Sequence, residues 1–338
     1  MRQTNRGLRA ALLAGASVVA LAATSPNAGA ADMSAPMAKK APPPAAIVKE
    51  RWSWWIEGGA VDPSGDSFNF GPRLSSIKPK WGWEGAAGFD WMPGWGPWHV
   101  SGQVRYGSAQ KTQGVNTLFP PHFETIIVPS GTTFVGTLTN NEKIRDEHWV
   151  VDFAIGRDFG LGNANAQWKL GLRVVDLRAR LTASGISNTT GALVFNPPFN
   201  TQQNATFVGA GPRFGVEGST PLAAGWSFDW LAGAAVLVGE RHTSQTTLSF
   251  IPAPPGGIAT PAALLTGQAT EQTTAVFNVD AQAGLSYWLS PNLKITASYR
   301  VDAYFNALKT IKAGTANNTF VNVDQIYNGP MLRLTSSF

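Results

Sequence analysis

At 338 residues the chain is long enough for two soluble domains, but 36 glycines, 18 phenylalanines, 13 tryptophans and only 14% charged residues argue for one all-β body. The formal charge of +5 includes Arg2, Arg6 and Arg9 near the start; without them the signs nearly balance, and no Lys/Arg-rich run supports a nucleic-acid partner. The absence of cysteine excludes disulfides, thiolate metal sites and a cysteine nucleophile.

Those three arginines precede an apolar run, Ala10 to Ala23, and a small-residue stretch, Ala28-Gly29-Ala30. A basic start, a short apolar core and an A-x-A site predict a secretory signal peptide over 1–30, cleaved near Ala30. The run is too short to span about 30 Å of hydrocarbon. Residues 31–50 are rich in Ala and Pro (Pro36, Pro42, Pro43, Pro44) and read as a periplasmic linker without core-forming residues.

From 51 to 338 the pattern is that of a barrel. Ten segments have strand character: 52–62, 81–90, 97–107, 147–156, 167–180, 205–217, 226–239, 273–288, 292–305 and 325–338. Each approaches or exceeds the ~9–11 residues that a tilted transmembrane strand needs. The ninth alternates strictly: Leu293, Ile295, Ala297, Tyr299, Val301, Ala303 and Phe305 share one face, and Lys294, Thr296, Ser298, Arg300, Asp302 and Tyr304 the other. In the fifth, Trp168, Leu170, Leu172 and Val174 hold one parity while Leu177, Ala179 and Leu181 hold the other, which predicts a β-bulge near Val175–Asp176.

Connections alternate between long (63–80, 108–146, 181–204, 240–272, 306–324) and short, with turn residues such as Pro93-Gly94 and Ser290-Pro291-Asn292. Short periplasmic turns and long extracellular loops are the plan of an antiparallel up-and-down outer-membrane barrel. Residues 123–139 within the second long connection could supply a further hairpin, so twelve strands is the alternative to ten. Trp52, Trp54, Trp91, Trp98, Trp168, Trp226 and Trp288 fall near the short-turn ends, as an interfacial aromatic girdle requires. The last segment ends on Phe338, read here as the residue that closes the barrel and presents the final strand to the barrel-assembly machinery. Outer-membrane lipid and lipopolysaccharide are then the expected surroundings, and assembly into several copies is left open.

Charges cannot face lipid, so the inward parity should carry them. The positions expected to line the lumen are Glu84, Arg105, Asp152, Arg173, Arg213, Asp229, Asp280, Lys294, Arg300, Asp302 and Arg333. Either they border a hydrated channel for small hydrophilic solutes, or they fill a closed barrel as internal ion pairs. A closed barrel would act as a structural or adhesive surface protein through its loops. A surface hydrolase is the third reading. It rests only on His122 and His242 in expected loops, with Ser244 nearby, and no catalytic spacing supports it. No cofactor or metal motif is present: the four histidines are scattered.

Several stretches resemble the Legionella-type major outer membrane protein family: FDWMPGWGP (89–97), VVDFAIGRDFGLG (150–162), FVGAGPRFGVEGSTPL (207–222) with WLAGAAVLVGE after it, and YNGPMLRLTSSF (327–338). GLRVVDLRARL (171–181) departs from the expected pattern where the phase changes. The resemblance implies a pore-forming outer-membrane barrel and supplies no catalytic residue.

Overall fold

The computed structural model describes residues 50–69, 76–94, 96–118, 135–161, 164–190, 198–251, 262–311 and 319–338. The expected signal peptide, nearly all of the linker, Trp95 and His122 lie outside these residues.

Ten strands form the ring: β1 (Arg51–Pro63), β4 (Gly82–Met92), β5 (Trp98–Leu118), β6 (Val135–Leu161), β7 (Ala164–Thr190), β8 (Pro198–Pro221), β9 (Trp226–Ile251), β10 (Ala262–Ser290), β11 (Leu293–Ile311) and β12 (Phe320–Ser337). Each is antiparallel to its neighbour, and β12 closes the barrel on β1. Two short strands, β2 (Phe68–Asn69) and β3 (Ser76–Ile77), form a separate hairpin between β1 and β4, so the ring holds ten strands, not twelve. No described helix is long and apolar enough to cross a membrane.

At the closing seam Glu57 lies opposite Arg333, and Trp52 and Phe338 exchange backbone hydrogen bonds of 2.9 Å in both directions. The seam is tight. A Cβ on Gly329 would sit 1.9 Å from the Ala60 carbonyl, and one on Gly59 would sit 2.1 Å from that of Pro330. Both sites exclude side chains because neighbouring backbones approach too closely. At the short-turn end, Ala224 and Gly225 take φ of 50° and 84°, the doubly positive geometry of a type I′ hairpin turn between β8 and β9.

The strands are longer than the alternation alone suggested. β6 to β10 run 24–29 residues, against the ~9–11 needed to cross the hydrocarbon. Much of what reads as the long loops 108–146, 181–204 and 240–272 is strand, including residues 135–139 and His242 with Ser244.

The outer face explains the excess length. On β7 it carries Trp168, Leu170, Leu172 and Val174, then Asp176, Arg178 and Arg180. On β9 it carries Trp226 through Val238 on alternate positions, then Glu240, His242 and Ser244. Leu172 is 63% exposed and Val238 57%, as residues facing lipid must be. The polar residues that follow mark the edge of the hydrocarbon band.

Past that edge the inner face changes in the opposite sense. Val175, Leu177, Ala179, Leu181 and Ala183 on β7 are all buried inside the barrel. β7 keeps an unbroken register with both β6 and β8, so there is no bulge at Val175–Asp176. The change of phase is an inversion of polarity. Inside the band β7 is apolar outside and polar inside; beyond it, β7 is polar outside and apolar inside, whereas the buried inner positions of β8 and β9 there include Gln203, Arg241, Thr243 and Gln245. A true irregularity of register falls on β11 instead, between Tyr304 and Leu308, where Asn306 takes φ 56° and its N–H donates to Asp324 Oδ1 at 2.7 Å.

Candidate functional site

The barrel interior is stacked in three layers. The first, at the short-turn end, is a polar vestibule of about 550 Å³, lined in part by His99, Glu217, Asp229, Lys294, Gln282 and Arg333. A cavity of about 200 Å³ sharing several of these walls adds Asp90, Gln103 and Lys169. Its charges pair locally: Lys294 Nζ reaches Asp229 at 2.7 Å, Lys169 Nζ reaches Glu217 at 2.8 Å and Asp90 at 3.0 Å, and His99 Nδ1 lies 2.6 Å from Asp90. Asp229 also accepts from the hydroxyls of Ser219 and Ser286.

The second layer lies at membrane depth, on positions whose strand neighbours face lipid. Here five arginines (Arg105, Arg173, Arg213, Arg300, Arg333) meet five carboxylates (Glu57, Glu84, Asp152, Asp280, Asp302). Arg173, fully buried on β7, donates Nε and Nη2 to the two Asp152 oxygens at 2.7 Å each, and Nη1 to Asp280 at 2.9 Å and Asn278 at 2.5 Å. Arg213 donates to the other Asp280 oxygen at 2.7 Å. Arg105 on β5 crosses the interior to Asp302 on β11 at 2.7 Å, and Asp302 also accepts from Asn278 and Tyr304. Arg300 bridges Glu57 on β1 and Glu84 on β4, while Arg333 donates to Glu57 at 2.8 Å and His148 contacts Glu84 at 2.9 Å. Bonds that join strands from opposite walls leave a filled cross-section. Nine of these charges are buried and Arg333 is half-buried, which is tolerable because each has partners of opposite sign.

The third layer is an apolar cluster bordered by buried polar groups such as Gln203, Arg241 and Gln245. Ile144, Leu177, Leu181, Phe207, Leu237 and Leu308 are each fully buried, and they share one cluster with Tyr304, Tyr327, Phe68 and Ile77. Asp146 is buried within it and accepts from the Tyr327 hydroxyl at 2.8 Å.

All eleven residues expected on the lumen side face the interior. Arg333, whose orientation tests the register of β12, stacks over Trp55 at 4.2 Å and bonds Glu57 inside the barrel. Asp229 and Lys294 belong to the vestibule and the other nine to the ionic layer.

The expected girdle divides. Trp52, Trp54, Trp98, Trp168 and Trp226 lie on the outer parity near the short-turn end, and Trp91 stacks on Trp52 at 5.2 Å. Trp288 does not join them. It lies on the parity of Asp280 and Gln282, lines the vestibule, and stands 5.6 Å from Lys294 Nζ, while Tyr287 takes the outward place beside Trp226. A second aromatic group, Trp83, Tyr106 and Trp149, marks the other edge of the band.

Asp146 and Ile144 are not legible in the sequence because the fourth expected segment begins at 147; His148 lies within that segment, on the inward parity of Asp152, and is not counted among the expected lumen positions. The parity of Asp152, followed upward, passes through Val150, His148, Asp146 and Ile144 without a break. His242 is partly exposed and shares the outer face with Glu240 and Glu271. No group of three or more metal-binding side chains occurs among the described residues.

The sequence matches the family model described as Legionella pneumophila major outer membrane protein precursor over residues 73–338. No curated protein matches the chain. Among solved structures, the outer membrane protease OmpT from Escherichia coli is 10% identical with a TM-score of 0.39, covering 87% of this chain and 98% of that one. A major outer membrane protein from Thermus thermophilus is 12% identical with a TM-score of 0.26, covering 86% and 99%. The transport unit of the autotransporter AIDA-I from Escherichia coli is 8% identical with a TM-score of 0.27, covering 87% and 93%.

Proposed function

The chain belongs to the family of the Legionella pneumophila major outer membrane protein and is an outer-membrane β-barrel of a Gram-negative bacterium, and on that premise we propose that it is a narrow, gated pore for small ions and hydrophilic solutes. The observation that carries this reading is the ionic layer. Farther up, the interior beside β7 is filled with leucine, isoleucine and phenylalanine, and the buried polar groups there are mostly uncharged, Gln203, Thr243 and Gln245 among them. At membrane depth the barrel uses charged groups instead, although a buried ion pair is often no more stable than an apolar replacement. Those charges adjoin a polar vestibule open at the periplasmic end.

Passage requires the cross-lumen pairs to part and the apolar layer to admit water, a barrier of the kind that gates by dewetting. The resting state is therefore closed, unlike that of a wide porin whose lumen is an aqueous channel. Selectivity between cations and anions is weak, since arginines and carboxylates are equal in number across the layer. Purified protein in a planar bilayer tests this. Wild type is expected to give rare, small conductance steps, and Arg173→Ala is expected to make them more frequent. Silence from both refutes the pore.

A second reading has its own support: the strands project far past the lipid band, with a water-facing exterior and a dry interior. A barrel permanently closed in this way would serve as a surface scaffold, and it predicts silence in both bilayer experiments. A hydrolase gains nothing from the geometry, since His242 and Ser244 lie on the outer face with no carboxylate–histidine–serine relay among the described residues.

A further inference from the structure

The outer face just beyond the lipid band is not evenly charged. On most strands the first outward residue past the apolar stripe is neutral or acidic: Asp62, Ser108, Thr206, Glu240, Thr273, Asn328. On β6 and β7, four cations gather within three residue rows: Lys143, Arg145, Arg178 and Arg180. Arg145 and Arg180 are directly opposite one another in the strand register, and all four are exposed. Like charges placed opposite destabilise a strand pair, with Cβ atoms only about 4.5–5.5 Å apart. The chain's own acids relieve only half of this. Arg145 leans on Glu147 at 2.6 Å and Arg178 on Asp176 at 2.5 Å, while Lys143 and Arg180 have no ion-pair partner among the described residues.

Height identifies the missing anion. One row below Glu147, Trp149 is 47% exposed and packs on Tyr106 at 4.5 Å between ring centres, at the edge of the band where indoles sit among headgroups. The cations therefore stand at the phosphate level of the leaflet on the long-loop side, which is the extracellular leaflet. In a Gram-negative outer membrane that leaflet is built of a phosphorylated glycolipid.

We propose that Lys143, Arg145, Arg178 and Arg180 form a binding site for the phosphate groups of one lipopolysaccharide molecule on the β6–β7 face. Arg145 and Arg180 straddle a phosphate from adjacent strands, and Lys143 supplies a further positive charge one row above. Arginine suits this role because its planar donors match phosphate oxygens in pairs. The outward amide and hydroxyl groups of Gln110 and Thr182 lie beside the cluster, within reach of sugar hydroxyls. The site is independent of whether the lumen conducts.

The test uses the full chain refolded in detergent, with folding verified by heat-modifiable electrophoretic mobility. Binding of purified lipopolysaccharide is measured for wild type, for Lys143→Gln/Arg180→Gln, and for Arg157→Gln, which removes an outward cation at the opposite end of β6. The double variant is expected to bind about 30-fold more weakly, from the loss of two surface cations near the phosphates. Arg157→Gln should bind as wild type does, and Lys143→Arg/Arg180→Lys should retain most binding. Chemically dephosphorylated lipopolysaccharide should bind wild type no better than it binds the double variant, and millimolar inorganic phosphate should not displace the intact glycolipid. Equal losses in the double variant and Arg157→Gln, equal binding of the dephosphorylated glycolipid, or equal binding of phosphatidylglycerol micelles would each overturn the proposal.

Discussion

Replacing Arg173 with alanine removes the most connected cation of the ionic layer. Its guanidinium makes four hydrogen bonds of 2.5–2.9 Å, two to Asp152 and one each to Asp280 and Asn278, with no exposure to solvent. Afterwards Asp152 keeps Gln103 at 2.5 Å and a distant Arg213 at 3.9 Å, while Asp280 keeps Arg213 at 2.7 Å. Five buried carboxylates then face four arginines. Breaking one partner out of a buried pair costs about 3–5 kcal/mol, because the remaining charge stays desolvated. That is a large part of a typical domain stability of about 5–15 kcal/mol. Urea titration of protein folded into lipid vesicles, followed by tryptophan fluorescence, measures the loss as a lower midpoint at unchanged slope. Adding Asp280→Asn should restore part of the stability, since it removes the surplus negative charge. A loss below about 1 kcal/mol would refute the reasoning, for that is the value of an exposed ion pair. Arg173 would then lie on a hydrated wall, and the layer would be open.

The same titration distinguishes the two faces of β7: Leu177→Ala should cost about 2–5 kcal/mol by leaving a cavity in the apolar layer, while Val174→Ala, on the lipid side, should cost much less. Leu172→Arg should cost about 2–4 kcal/mol, the penalty for a cation at mid-bilayer, and equal stability would show that this face does not meet lipid. Gly329→Val should prevent closure between β1 and β12, because even its Cβ would meet the Ala60 carbonyl at 1.9 Å; the readout is loss of the heat-modifiable folded band, and a normal band would show that the seam is looser than described.

How much could be read from the sequence depended on where a residue stands relative to the lipid. In β11 the alternation from Leu293 to Phe305 is unbroken, and the inward parity of Arg300 and Asp302 follows at once. Arg333 is legible for the same reason. Beyond the band the alternation of β7 persists with its sign reversed, so it reads as though it slipped a residue at Val175, while β9 is polar on both parities there. The outward residues there, such as Lys143, Arg145, Gln202, Asn204 and Ser244, have the composition of loops, and the strands were cut short accordingly. Trp288 was misplaced because a register shift between Trp288 and Ser290 lies at the turn, where parity is least secure. The partners of each arginine were not legible at all. Arg105 meets Asp302 from 197 positions away, and only the curvature of the closed ring brings those two walls together.

The reversal of polarity along β7 also protects its alignment with β6 and β8. In a sheet with one buried face, a slip of one residue exchanges the two faces and is penalised once. Here a slip in β7 would turn Arg173 toward lipid and, in the same movement, turn Leu177 and Leu181 toward water while driving Arg178 and Arg180 into the dry interior. Two solvents of opposite character therefore reject the same error. A chain that must find its pairing while inserting has its correct alignment enforced from below by hydrocarbon and from above by water.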